Sequence, residues 1–146
     1  MDVSVIIVNY NVEHFLSQCL LSVRAGVAVL EQSGYAAEVF VVDNNSVDGS
    51  CAMVWRQFPE VHLIDSKENL GFSKGNNLAI RQSKGRWVLL LNPDTIIQED
   101  TLLKCLEYAD ARTRLDNARI NALRTQYDFV FKTRILDFYL GRPLSL

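Results

Sequence analysis

Four short apolar runs, each stopping at a polar cluster, constrain this chain more than any other feature. "VSVIIVNYN" (3–11) opens with a nearly unbroken apolar stretch from Val3 to Val8. Continuous rather than alternating hydrophobicity fits a strand covered on both faces. "EVFVVD" (38–43), "VHLIDS" (61–66) and "RWVLLLNPD" (86–94) repeat the theme. Helical spacing fills the gaps. Phe15, Leu16, Cys19, Leu20 and Val23 form one apolar stripe, with Asn11 as the cap and Glu13 in the first turn. After a loop around Ser33 and Gly34, Cys51, Val54, Trp55 and Phe58 form a second stripe, which Pro59 ends. "ENLGFSKGNN" (68–77) reads as a glycine-bearing loop leading into a helix through "NLAIRQS" (77–83), closed by Gly85 in the C-terminal capping position. Residues 101–109 continue as a helix.

Strands alternating with helices predict an α/β fold, a mostly parallel sheet with flanking helices and right-handed crossovers. Such sheets bind ligands beyond the carboxyl ends of their strands. Parallel order therefore gathers "NYN" (9–11), "DNNS" (43–46) and "NPD" (92–94) on one edge.

Size and charge set the domain boundaries. A chain of 146 residues gives one domain with a real core, and 49% hydrophobic against 22% charged residues places it among globular proteins. The net charge of −2 hides an asymmetry: residues 1–110 carry 8 basic and 14 acidic side chains, whereas 111–146 carry 7 and 3. The expected division is an α/β unit at 1–110 and a basic tail at 111–146. In that tail Ile120, Leu123, Tyr127 and Val130 follow helical spacing with arginines between them, so an amphipathic helix is predicted. It could pack over the sheet, pair with another subunit as a homo-oligomer, or make peripheral contact with an anionic membrane. No apolar run approaches the roughly 20 residues that span a bilayer, and no basic segment precedes an apolar one at the N-terminus. A soluble, cytoplasmic protein is expected, with the inner face of the membrane as an alternative site, and no nucleic-acid partner.

The odd trio Cys19, Cys51 and Cys105 suggests buried free thiols rather than a disulfide framework or zinc site. His14 and His62 have no partner at metal-ligand spacing, and Trp55 and Trp87 read as core. With neither G-x-G-x-x-G nor G-x-x-x-x-G-K-[ST] present, a dinucleotide dehydrogenase and a P-loop ATPase are disfavoured.

Each strand-end cluster carries two readings. Asp43, Asn44, Asn45 and Ser46 offer carboxylate, amide and hydroxyl groups suited to a nucleobase or ribose, or they form a turn in which Ser46 or Asp48 caps the next helix. In "GFSKGNN" (71–77) two glycines allow close backbone approach to a ligand and Lys74 adds charge, or the segment is a loop with a solvated lysine. Asp94, on a turn made by Pro93, is placed to bind a hard divalent cation bridging phosphates, or N-P-D-T is only a turn.

Taken in order, "VSVIIVNYN", "VVDNNSVDGS", "NLGFSKGNN" and "VLLLNPDT" resemble the family 2 glycosyltransferases, particularly the rhamnosyltransferase-like members, over about residues 1–110. The resemblance implies the GT-A fold and inverting transfer of a sugar from a nucleoside diphosphate donor to a saccharide or lipid-linked acceptor, in polysaccharide biosynthesis. It places Asn9, Tyr10 and Asn11 beside the nucleotide, Asp43 and Asn44 at the base with Ser46 in the same motif, and Lys74, Asn76 and Asn77 near the ribose and diphosphate. "NPD" stands where the family carries D-x-D, so Asp94 corresponds to the acid that binds Mg²⁺ or Mn²⁺, while Asn92 and Pro93 depart from the acidic pattern. Asn44 stands where many relatives have a second acid, which leaves uridine, thymidine and guanosine donors open. Relatives continue with an acceptor site and a late acidic base, and residues 111–146 match none of that. The catalytic base is therefore unassigned, Asp116, Asp128 and Asp137 being weak candidates. Two further classes compete: a non-catalytic nucleotide-binding or assembly module, and a nucleotidyltransferase, which lacks here the glycine- and basic-rich N-terminal loop expected of it.

Overall fold

A computed structural model describes residues 1–112 and 130–131. The predicted runs form β1 (Val3–Asn9), β2 (Ala37–Asp43), β3 (His62–Asp65) and β4 (Trp87–Leu91), all parallel. A two-residue β5 (Val130–Phe131) pairs antiparallel with β4, and the sheet order is β3-β2-β1-β4-β5. The connections are α1 (Glu13–Gln32), α2 (Ser50–Gln57) and α3 (Gly71–Gln82), with α4 (Thr101–Arg112) following β4.

Successive residues of a strand face opposite sides of the sheet, so an unbroken apolar run must be covered twice. Val5, Ile7, Val39, Val41, Leu89 and Leu91 join one core with Leu16, Leu20 and Val23 of α1, Met53 and Val54 of α2, and Leu102 and Leu106 of α4. Ile6, Phe40, Val42, Val88 and Leu90 meet Ala79 of α3 on the other face. Helices α1, α2 and α4 thus cover one face and α3 the other.

Topology places the ligand edge. From β1 the chain steps outward to β2 and β3, then crosses on α3 to the opposite side of β1 and enters β4. The winding direction reverses between β1 and β4, the kind of crevice at which open α/β sheets hold ligands. Register aligns the polar ends: Asn9 pairs with Asp43, and Asp43 with Asp65.

Several local expectations are corrected. The buried stripe of α1 is Leu16, Cys19, Leu20, Val23, Gly26 and Leu30, whereas Phe15 is 54% exposed. Trp55 is not core but 80% exposed, because α2 turns Ser50, Met53 and Val54 inward; Trp87 is buried as expected. "GFSKGNN" is not a loop: the helix starts at Gly71. Gly85 lies beyond the cap at Ser83, and a Cβ on it would fall 2.5 Å from the backbone N of Ser4. Asn11 does not cap α1, whose N-cap is Val12 without a side-chain bond. All three cysteines are free, but only Cys19 is fully buried. Val130 belongs to a strand rather than to the tail helix, and the rest of that predicted helix lies outside the described residues. Among the described residues no helix is long and apolar enough to cross a membrane.

Candidate functional site

The ends of β1 and β2 interlock through side chains. Asn9, fully buried, donates from Nδ2 to Asp43 Oδ1 at 2.8 Å and to Ser46 Oγ at 3.1 Å. Ser46 donates its hydroxyl to Asp43 Oδ1 at 2.7 Å and its N–H to Asp43 Oδ2 at 2.8 Å. The Asn11 N–H donates to Ser46 Oγ at 2.9 Å, and Asn11 Oδ1 accepts the Val47 N–H at 2.8 Å. Both turns carry a left-handed asparagine, Asn11 at φ 52° and Asn45 at φ 63°. Asparagine tolerates that region through local hydrogen bonding.

The same loops fix the starts of α1 and α2. Glu13 accepts the Gly49 N–H at 3.1 Å, and Asp48 accepts the N–H groups of Glu13 and Ser50, each at 3.0 Å. Carboxylates thereby meet orphan donors at two helix N-termini, where the macrodipole favours negative charge. Neither Ser46 nor Asp48 occupies the cap position: the N-cap of α2 is Gly49, without a side-chain cap bond, and Asp48 reaches the Ser50 N–H from the residue before it.

Helix α3 closes down on this edge. A Cβ on Gly75 would stand 3.1 Å from Val8 Cγ1 and 3.4 Å from Asn44 Oδ1, so glycine permits the approach. Asn44, 3% exposed, donates to the Gly71 carbonyl at 3.3 Å. Asn76, also 3% exposed, donates to the Phe72 carbonyl at 2.9 Å. The amide oxygens of Asn9, Asn44 and Asn76 are buried without a hydrogen-bond partner among the described residues. Lys74 and Asn77 are exposed on α3.

At the β4 end Asn92 and Asp94 are exposed. The Asn92 carbonyl accepts the Thr95 N–H at 3.2 Å and the Cys19 thiol at 3.6 Å. Burial, then the nearby Asp94 charge, pushes the Cys19 thiol up to about 12. The strand ends therefore bring together Asn9, Asp43, Asn44 and Ser46, with Asn76 on the helix above, and set Tyr10, Asn11, Lys74, Asn77, Asn92 and Asp94 exposed on the loops and helix at that edge.

Cation chemistry can be weighed from the donor sets. Asp43, Cys51 and Asp65 have ligand atoms within 4.8 Å of one another. They suit a metal poorly: burial, followed by the Asp43 charge, pushes the Cys51 thiol up to about 12, and the Lys67 ammonium already pairs with Asp65. Asp94 offers one exposed carboxylate, which suits a hydrated Mg²⁺-like ion held mainly by the oxygens of a ligand. Sequence reasoning did not bring Cys51, Asp65 and Lys67 to this edge. The register of β3 against β2 is the signal that would have brought Asp65 in.

Residues 4–134 match the sequence profile described as glycosyl transferase family 2. The chain belongs to that family. Among the similar family 2 relatives, the succinoglycan biosynthesis protein ExoO of Rhizobium meliloti is 34% identical over 111 residues, 75% of this chain and 30% of that protein. The low-salt glycan biosynthesis hexosyltransferase Agl10 of Haloferax volcanii is 39% identical over 105 residues, 69% of this chain and 30% of its own. The chain thus spans about a third of the length of the relatives it matches. Of solved structures, TarS 1–349 from S. aureus in complex with UDP superposes with a TM-score of 0.68 at 27% identity, covering 77% of this chain and 33% of that one. The mannosyltransferase PcManGT of Pyrobaculum calidifontis, in complex with GDP-Man and Mn²⁺, gives 0.63 at 26% identity, covering 73% and 31%. The family 2 sheet with its flanking helices is thus the GT-A arrangement.

Proposed function

We propose that this chain is the donor-binding half of an inverting glycosyltransferase that moves a sugar from a nucleoside diphosphate to a saccharide or lipid-linked acceptor. The observation that carries the reading is the polar edge at the carboxyl ends of β1, β2 and β4, on a fold that superposes on a family structure holding UDP. Asn9, Asn44 and Asn76 are buried beneath that edge, and the exposed Tyr10, Asn11, Lys74 and Asn77 around it carry donors and acceptors that can reach a base, a ribose or a phosphate.

In this assignment the base and ribose lie against the ends of β1 and β2, under the close approach of α3, and the diphosphate runs toward β4. Lys74 adds positive charge near the diphosphate. Asp94 would hold a divalent cation, which when bound supplies Lewis-acid stabilisation of the departing diphosphate. Inversion also needs a base within hydrogen-bond reach of the attacking hydroxyl, and residues 1–112 are assigned no such role. The donor half is a proposed unit of residues 1–110, followed by a basic segment at 111–146 that packs back on the sheet, pairs with a second subunit or contacts a membrane surface.

Calorimetric titration of UDP, dTDP and GDP, with and without Mn²⁺, tests the assignment. Metal-dependent binding of one nucleotide, weakened at least about tenfold in Asp94→Ala, is expected; tenfold corresponds to about 1.4 kcal/mol. Absence of binding for all three would leave a fold without a donor site and favour a non-catalytic assembly module.

A further inference from the structure

The Asp43 carboxylate is 1% exposed, and its lone pairs are committed inside the protein. Oδ1 accepts from Asn9 Nδ2 and Ser46 Oγ, and Oδ2 accepts the Ser46 N–H. The Cys51 thiol lies beside the same group, its Sγ within 4.8 Å of the carboxylate. Three donors take three of the roughly four acceptor positions of a carboxylate, and burial closes the remaining one to solvent and ligand alike. Nothing is left over for a ligand.

The partners of those bonds define what the carboxylate does. Ser46 sits between Asp43 and the Asn11 N–H, and Asn11 reaches back to the Val47 N–H. Loops 9–11 and 43–47 are therefore held together with Asp43 as their common anchor. Left-handed non-glycine residues such as Asn11 and Asn45 persist only when their surroundings over-determine them. The lock supplies that, and it leaves Tyr10, 50% exposed, and the exposed Asn45 on the rim.

Resting on the donor assignment above, we infer that Asp43 is a positioning residue and not a base contact, because its carboxylate is spent holding loops 9–11 and 43–47 as one rim. The two roles differ in chemistry. A carboxylate touching a base accepts one N–H, and an amide in its place can donate instead, which favours cytosine over uracil or guanine. A positioning carboxylate is blind to the base.

The experiment is calorimetry of UDP, GDP and CDP on the full 146-residue chain and on its Asp43→Asn, Ser46→Ala and doubly substituted forms, with thermal melting alongside. The expected result is a Kd raised by about tenfold in Asp43→Asn, by the same factor for every nucleotide the unaltered chain binds, with the double substitution no worse than about twofold beyond the single one. An altered order of preference, CDP gaining, would overturn the inference and make Asp43 a direct contact. So would an unmoved Kd beside a lowered Tm, which would make it structural only. If Asp43→Asn does not fold, Ser46→Ala decides by the same two readouts. Failure of the unaltered chain to bind any nucleotide would overturn the donor assignment itself, and this inference with it.

Discussion

At the residue scale, three glycines hold this molecule together by what they lack. A Cβ on Gly85 would meet the Ser4 backbone N at 2.5 Å, and neither chain can step aside without breaking the β1–β4 pairing. On Gly75 it would meet Val8 Cγ1 at 3.1 Å, where a side chain can give by a few tenths of an ångström. On Gly49 it would meet the Glu13 carboxylate at 2.5 Å, the far end of a flexible side chain. Thermal melting should rank the alanine substitutions accordingly: Gly85→Ala costs about 3 kcal/mol or more, Gly75→Ala about 1–3, and Gly49→Ala about 1. A Gly85→Ala variant as stable as the parent would contradict the close approach. Conformational freedom was legible in these glycines only as a general property. Which of them touch another strand depends on partners 67 to 81 positions away, and no local pattern carries that. Trp55 shows the same limit: in a helix of eight residues, spacings of 51, 54, 55 and 58 fit a stripe as well as the true face of 50, 53, 54 and 58 does.

At the element scale, the strands were readable because burial on both faces writes itself as an apolar run. The start of α3 was not. Gly71, Gly75, Asn76 and Asn77 are weak helix formers, and their helix is held instead by packing on β1 and β2. The opposite, N-terminal edge of the sheet holds a device that local pattern also hid. Glu38, 9% exposed in β2, accepts Ser4 Oγ at 2.5 Å, the Lys84 N–H at 2.6 Å and the Gly85 N–H at 3.2 Å. Burial pushes its carboxyl upward, but these bonds outweigh burial and leave it below the usual range. A depressed folded value means that the stabilisation is present above the unfolded value, roughly pH 4.3, and is lost as pH falls through the folded one. Glu38→Gln should therefore cost about 1–3 kcal/mol at pH 7 and flatten the loss of stability below about pH 4.3, read by urea melts across pH. An unchanged acid limb would contradict that role.

At the scale of the whole molecule, the strands rank by their cover. β3 is a short edge, and β4 would be the other edge without β5, whose Val130 and Phe131 pair with Leu90 and Leu89. Unpaired edges of apolar strands invite association with other chains. A chain ending at residue 112 should consequently lose solubility and aggregate on heating below the melting point of the full chain, as light scattering would show. A monomeric, cooperatively melting 1–112 would remove β5 from the account. The fold class and the gathering of the polar strand ends on one edge were legible in the sequence. The way those ends interlock, through Asn9, Asp43 and Ser46, was not, because it rests on the register of two strands 34 residues apart.

The central claim is that the carboxyl edge of the sheet receives a nucleotide. The most direct measurement is the ¹⁵N amide spectrum of the labelled chain titrated with UDP and, separately, GDP in the presence of Mg²⁺. Shifts are predicted at residues 9–11, 43–47, 71–77 and 92–94, with residues 34–36 and 84–86 at the opposite edge unmoved. Binding that shifts the opposite edge, or that leaves those four segments unmoved, would contradict the account.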